Sequence, residues 1–155
     1  MMRRRAVWTL LLVSAGCGGG RPTPPAPQSL TDALSQFMTA VKTNNLERMG
    51  QLWGTERGSA AGWMKADELR MRLTVIQTYL RHDGYRVVQG PVPAADGTPS
   101  RRSFRIELRR GNCNAVLPID LVRTRRGGWL VYDVHLESAP NPAARCPSGG
   151  AGTGR

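Results

Sequence analysis

Residues 101–134 read RRSFRIELRRGNCNAVLPIDLVRTRRGGWLVYDV, and in their first third Phe104, Ile106 and Leu108 alternate with Arg105, Glu107 and Arg109. A period of two with one apolar and one charged face is the pattern of a half-buried β-strand. Ala115 to Thr124 is a more apolar strand, and Arg126-Gly127-Gly128 supplies a turn into a further strand, Trp129 to Glu137. Upstream, Tyr85 to Gln89 reads as a short first strand. Gly90 to Ser100, with three prolines and Asp96-Gly97, reads as the turn region that follows it.

Before Tyr85 the period is helical. Ser29 is placed to cap a helix whose apolar positions are Leu30, Leu34, Phe37, Met38 and Val41. Asn44-Asn45 ends it, because Asn tolerates the left-handed conformation found at helix ends. A second, short helix presents Leu46, Met49, Leu52 and Trp53, and Gly54 to Gly62 reads as a loop. A third helix is expected from about Lys65 to His82, with Leu69, Leu73, Ile76 and Leu80 on one stripe and Arg70, Arg72 and Arg81 off it. Asp83-Gly84 stops it. Three helices followed by an antiparallel meander of about four strands is an α+β arrangement.

The chain opens differently. Arg3, Arg4 and Arg5 precede the apolar run Ala6 to Val13, and the small residues Ser14, Ala15 and Gly16 lead to Cys17. A basic segment, a short apolar run and a small-residue site form an export signal. The run is far shorter than the roughly 20 residues that span a bilayer. Ser14-Ala15-Gly16-Cys17 resembles the bacterial lipobox, with Ser where Leu is commonest. The resemblance implies cleavage before Cys17, a thioether diacylglycerol on its sulfur and N-acylation, so that several acyl chains bind the lipid bilayer. Gly18 in place of Asp after the cysteine resembles outer-membrane sorting in Gram-negative lipoproteins, which implies an outer-membrane position facing the periplasm. Gly18 to Gln28 holds Pro22, Pro24, Pro25 and Pro27, a composition that stays extended and buries no core. The expected organisation is a signal peptide at 1–16, a lipidated cysteine with its tether at 17–28, a domain at 29–137 and a Pro/Gly-rich tail at 138–155.

Without residues 1–16, the remaining 139 carry 19 basic side chains against 11 acidic ones, a net charge of +8. Twenty of the 22 basic residues of the whole chain are arginines. An exported, lipid-anchored chain has little access to nucleic acid, so no nucleic-acid partner is expected, and anionic lipid headgroups suit the charge better. With Cys17 assigned to lipid, Cys113 and Cys146 remain in a compartment where disulfides persist, and a bridge between them is expected. Two thiols offer no metal site, since zinc takes about four ligands. The chain shows no nucleophile elbow, phosphate loop or metal-ligand cluster, and no cofactor is expected.

Phe37-Met38-Thr39-Ala40-Val41-Lys42-Thr43-Asn44-Asn45-Leu46 and Gly128-Trp129-Leu130-Val131-Tyr132-Asp133-Val134 are similar to the first-helix and closing-strand patterns of the nuclear-transport-factor-2-like (cystatin-like) superfamily. The likeness covers roughly residues 30–137 and implies a sheet curled around the first helix to enclose a cone. Trp129 to Val134 also resembles the closing strand of periplasmic phospholipid-shuttling proteins, whose helical section is longer. Enzymes of the superfamily are isomerase-like and cyclase-like, and use a buried Asp or His with Tyr on apolar substrates. The ionisable candidates here are Tyr79, His82, Asp83, Tyr85, Asp120, Asp133 and His135. Asp133 and His135 share one strand face with Trp129 and Val131 and are the acid–base pair an enzyme would need. The opposite face, Leu130, Tyr132, Val134 and Leu136, makes the better core stripe, which leaves Asp133 and His135 solvated and paired with arginines. His82-Asp83-Gly84 reads as a structural helix end. The densest chemical feature is the arginine set Arg101, Arg102, Arg105, Arg109, Arg110, Arg123, Arg125 and Arg126, either a solvated sheet face or a basic patch for anionic lipid or an acidic protein partner. The expected function is therefore a non-catalytic binding module in an envelope lipoprotein. An isomerase-like or cyclase-like enzyme, or an accessory to lipid shuttling, is the alternative.

Overall fold

The computed structural model describes residues 24–139 and 141–143. Helix α1 (Leu30–Lys42) begins where Ser29 accepts the Asp32 backbone N–H at 3.0 Å, which satisfies one of the donors a helix start leaves open. Its inner face buries Leu34, Phe37, Met38 and Val41, as the spacing requires. Asn44 takes a φ of 52°, and Asn45 then caps α2 (Leu46–Leu52) by accepting the Arg48 N–H at 2.9 Å. The span read as a loop contains a small hairpin, β1 (Gly54–Thr55) with β2 (Gly58–Ser59), and a 3₁₀ turn. Gly58, at φ 132°, permits that tight reversal.

Helix α3 (Ala66–Leu80) turns Leu73, Ile76 and Leu80 inward and leaves Arg70, Arg72 and Arg81 exposed. It stops two residues before the expected His82. Four antiparallel strands follow in sequence order, β3 (Gly84–Pro93), β4 (Arg101–Arg110), β5 (Cys113–Arg123) and β6 (Trp129–Val134). The architecture is the expected α+β one, three helices against a four-stranded antiparallel meander. Phe104, Ile106 and Leu108 of β4 with Leu117, Ile119 and Leu121 of β5 form the sheet's inner face. They pack on Leu34, Phe37, Met38, Met49, Leu52, Leu73 and Leu80 in one apolar core. Among the described residues no helix is long and apolar enough to cross a membrane.

Three expectations are corrected. Strand β3 runs on through Pro91 to Pro93, into the stretch read as a turn. Register shifts on either side of Gln89 absorb the irregularity, and an edge strand has one side on which a proline's missing N–H is not needed. The true turn is Ala94 to Ser100, with the Gly97 N–H donating to Ala94 O at 3.0 Å and the Thr98 N–H to Asp96 Oδ1 at 2.9 Å. Strand β6 ends at Val134 rather than Glu137, and residues 136–138 form a 3₁₀ turn. Its neighbour Pro118 has no N–H to offer there, and only its carbonyl accepts, from the His135 N–H at 3.3 Å.

The third correction concerns the tether. Pro27 is buried and its carbonyl accepts the Trp129 N–H at 2.7 Å, so the last residues of the stretch read as a free leash lie along the outer edge of β6. Gly128 permits this approach. Its φ is 81°, and a Cβ placed there would come within 2.7 Å of Ala26 O. Residues 1–23, including the signal peptide and Cys17, lie outside the described residues, as do Cys146 and most of the tail.

Candidate functional site

The pairing of β5 with β6 runs from Asp120↔Asp133 to Leu121↔Val131, so Tyr132 is the extra residue of a bulge. A bulge resets the alternation of faces. Val131 and Val134 therefore enter the core together; Leu130 is buried as expected, whereas Tyr132, expected in the same stripe, is half-buried and borders a groove outside the core. Asp133 is exposed. His135 stands just beyond the strand, Nε2 at 3.1 Å from Asp120 Oδ2 and Nδ1 at 3.0 Å from Glu137 Oε1. Its partners are carboxylates, not the arginines expected. Partial burial disfavours the charged ring, but its hydrogen bonds to the Asp120 and Glu137 carboxylates, with the Asp133 charge nearby, hold its pKa above the ordinary value. The structure thus joins His135 to Asp120 and leaves Asp133 facing solvent.

His82 is the buried histidine, 6% exposed. The chain leaves the helix at Arg81, and the His82 ring turns inward edge-on to Tyr85, centroids 5.7 Å apart, with Nδ1–H donating to Leu80 O at 2.8 Å. Burial pushes its pKa below the ordinary value, helped by the positive charges of Lys42 and Arg110. A neutral ring holds this corner, a structural role at the end of α3. Asp83 accepts the Gly111 N–H at 2.6 Å and fastens the turn after β4 to the end of α3. The Tyr79 carbonyl accepts from Arg110.

The arginine set divides. Arg110 donates through Nε to Arg81 O and through Nη2 to Tyr79 O, both at 2.7 Å, closing the last turn of α3. Arg102 donates to the carbonyls of Pro99 and Arg101. Arg105 and Arg109 are exposed on the outer sheet face, where Arg86 pairs with Glu107. Arg123 is exposed at the end of β5, next to the turn that carries Arg125 and Arg126.

Arg101, Arg125 and Arg126 meet around the groove, a cavity of about 990 Å³ bounded by residues 24–28, the β1–β2 hairpin, Trp63 and the β5–β6 turn. Arg101 is held at its floor, with Nη1 2.5 Å from Asp96, Nη2 3.7 Å from Glu56 and the guanidinium carbon 3.7 Å above the centre of the Tyr132 ring. Its Nε is buried without a hydrogen-bond partner. The Arg125 N–H donates to Glu56 O at 2.9 Å, which joins the β5–β6 turn to the tip of the small hairpin. Arg57, at that tip, was not among the residues singled out in the sequence. It follows no periodic pattern, and only the contact between the two turns brings it beside Arg125. Arg57, Arg125 and Arg126 are exposed, and none has an ion-pair partner among the described residues.

Cys113 is half-buried at the start of β5 as a disulfide-bonded cysteine, and Cys146, the partner expected for it, lies outside the described residues. No protein-family model matches this chain, and comparison with curated proteins and with solved structures returns no match.

Proposed function

We propose that this chain is an envelope lipoprotein whose domain, of nuclear-transport-factor-2-like form, is a non-catalytic binding module held at the outer membrane by acylated Cys17. The observation that carries the binding reading is the contrast between the core under the sheet and the groove at the end of the sheet that carries the β5–β6 turn. The space between helices and sheet is filled by apolar side chains, of which Phe37, Met38, Met49 and Leu117 are 0% exposed. The open volume lies instead in the groove outside the core, where Arg57, Arg125 and Arg126 stand without carboxylate partners among the described residues. An acid–base enzyme acting on an apolar molecule needs a titratable group inside an open apolar cavity. Asp133 and His135 stand at the rim of the fold, solvated or tied to carboxylates.

The test has two arms. Cys17→Ser should move the protein from the membrane fraction to the soluble one and abolish incorporation of labelled fatty acid. A variant that stays on the membrane and carries label overturns the anchor. Asp133→Asn combined with His135→Gln should leave the phenotype of a strain lacking the chain fully complemented. Failure to complement with a normally folded variant would replace the binding reading with the isomerase-like or cyclase-like one.

A further inference from the structure

The groove sits where the tether joins the domain, and this fixes what it can face. Pro24 and Pro25 line it, and Pro24 is only seven positions along the chain from Cys17. At up to ~3.6 Å per residue that length of chain reaches at most about 25 Å. Because Pro27 is fastened to β6, no further slack comes from residues 27 onward. A domain anchored at Cys17 therefore cannot carry the groove's Pro24 more than about 25 Å from the anchor, which leaves Arg57, Arg125 and Arg126 within reach of the bilayer surface. Trp63, 55% exposed, stands on the rim beside them. Tryptophan settles at the headgroup level of a bilayer, where its ring is half in apolar surroundings and its N–H is wet. Arginines without carboxylate partners, one exposed tryptophan and a short anchor arriving at the same place have a common explanation.

We propose that this end of the domain docks on the anionic phospholipid headgroups of the membrane that anchors it, with Arg57, Arg125 and Arg126 on lipid phosphates and Trp63 inserted at the headgroup level. The inference rests on the binding-module reading with its Cys17 anchor and names the partner. Arg101 is the support beneath. Its pairs with Glu56 of the hairpin tip and Asp96 of the β3–β4 turn, and its stacking on Tyr132 of β6, brace the floor of the groove, and it touches no lipid. Free phosphate would satisfy the arginines equally well but gives Trp63 nothing to enter, so the occupant is the lipid surface.

The test uses the chain from residue 17 with Cys17→Ser, so that binding reports the domain alone. Its partitioning is measured on phosphatidylcholine vesicles and on vesicles with roughly a third phosphatidylglycerol, at low and at physiological salt. The unlipidated chain should bind the anionic vesicles and not the neutral ones, and salt should weaken the binding. Joint replacement of Arg57, Arg125 and Arg126 by Gln should weaken partitioning on the order of a hundredfold, since each basic side chain near an anionic surface counts for about a factor of five to ten. Removing the same charge elsewhere, as Arg70→Gln with Arg105→Gln and Arg109→Gln, should change it by no more than a few fold. Anionic vesicles should also blue-shift the tryptophan emission, and Trp63→Phe should remove that shift. Equal losses from the two triple variants would make net charge the cause and overturn the site, as would a blue shift that survives Trp63→Phe. Binding of glycerol phosphate without binding of vesicles would make the groove a small-anion site and overturn the membrane contact. A protein that needs Cys17 for the membrane fraction in cells but shows no groove-dependent binding keeps its anchor and loses this inference.

Discussion

At one end of the four-stranded sheet Arg110 reaches back to two carbonyls of the last turn of α3, Asp83 ties the β4–β5 turn, and His82 lies buried against Tyr85. At the other end Arg125 and Arg126 stand on a turn, Arg57 on a hairpin tip, and all three guanidinium groups face water. The residue type is the same, and the difference lies in what the backbone supplies. A helix C-terminus leaves carbonyls without N–H partners, and a nearby arginine satisfies them. At the two tight turns backbone donors already take the carbonyls, Thr124 O from the Gly127 N–H at 3.0 Å and Glu56 O from the Arg125 N–H at 2.9 Å, so the arginines above them are left facing water. The closed end belongs to stability, and the open end is the one proposed to bind.

The largest effect expected at the closed end is loss of the bridge expected between Cys113 and Cys146. The loop it would close spans 33 residues. The chain-entropy model gives such a loop roughly 3–4 kcal/mol. Non-reducing mass spectrometry should show one linked peptide, and reductant should lower the denaturant midpoint accordingly. Two alkylatable thiols in protein from its native compartment would remove the bridge.

The next effect compares the ends directly. Arg110→Ala leaves two helix-terminal carbonyls without their charged donor and should cost about 1.5–3 kcal/mol. Arg126→Ala should stay within about 0.5 kcal/mol. Chemical denaturation of the two variants decides the matter, and equal costs would break the contrast.

The smallest effect is in pH. The pKa of His82 is lowered by folding, so the unfolded chain takes up its proton first. Stability from this residue is lost as pH falls below about 6.5 toward the folded value. The pKa of His135 is raised, so its contribution is complete below about 6.5 and is lost as pH rises through the folded value. Stability should therefore peak near the ordinary histidine pKa. His82→Gln should flatten the acid limb and His135→Gln the alkaline limb. A variant that flattens the opposite limb would reverse the assignment.

The sequence carried the parts of this molecule that depend on neighbours along the chain. Ser29 and Asn45 cap the helices the local pattern implies, Asn44 takes the left-handed conformation expected of it, and β4 follows its alternation residue by residue. The bulge at Tyr132 was not legible, because an inserted residue leaves no mark on composition while it exchanges the faces of everything before it. The extension of β3 through two prolines depends on its being an edge strand, which only the strand order reveals. The groove was least legible. The arginines of the β5–β6 turn were visible, but Arg57, Trp63 and the tether end reach them through tertiary contacts alone.

The docking of Pro27 has a further consequence, for self-association. An open sheet edge is a template for another chain. The β6 edge is covered, with Pro27 O on the Trp129 N–H and Trp53 bridging to Val131. The β3 edge is protected otherwise, by two breaks in its register, by Pro91 and Pro93, which have no N–H to offer, and by the exposed charge of Arg86 next to Val87 and Val88. Gly128 therefore matters beyond its own turn. A bulky side chain there would push Ala26 and Pro27 away and expose a strand whose neighbours are valine, leucine and tryptophan. On any surface that crowds many copies together, a single glycine would separate a dispersed protein from an aggregating one.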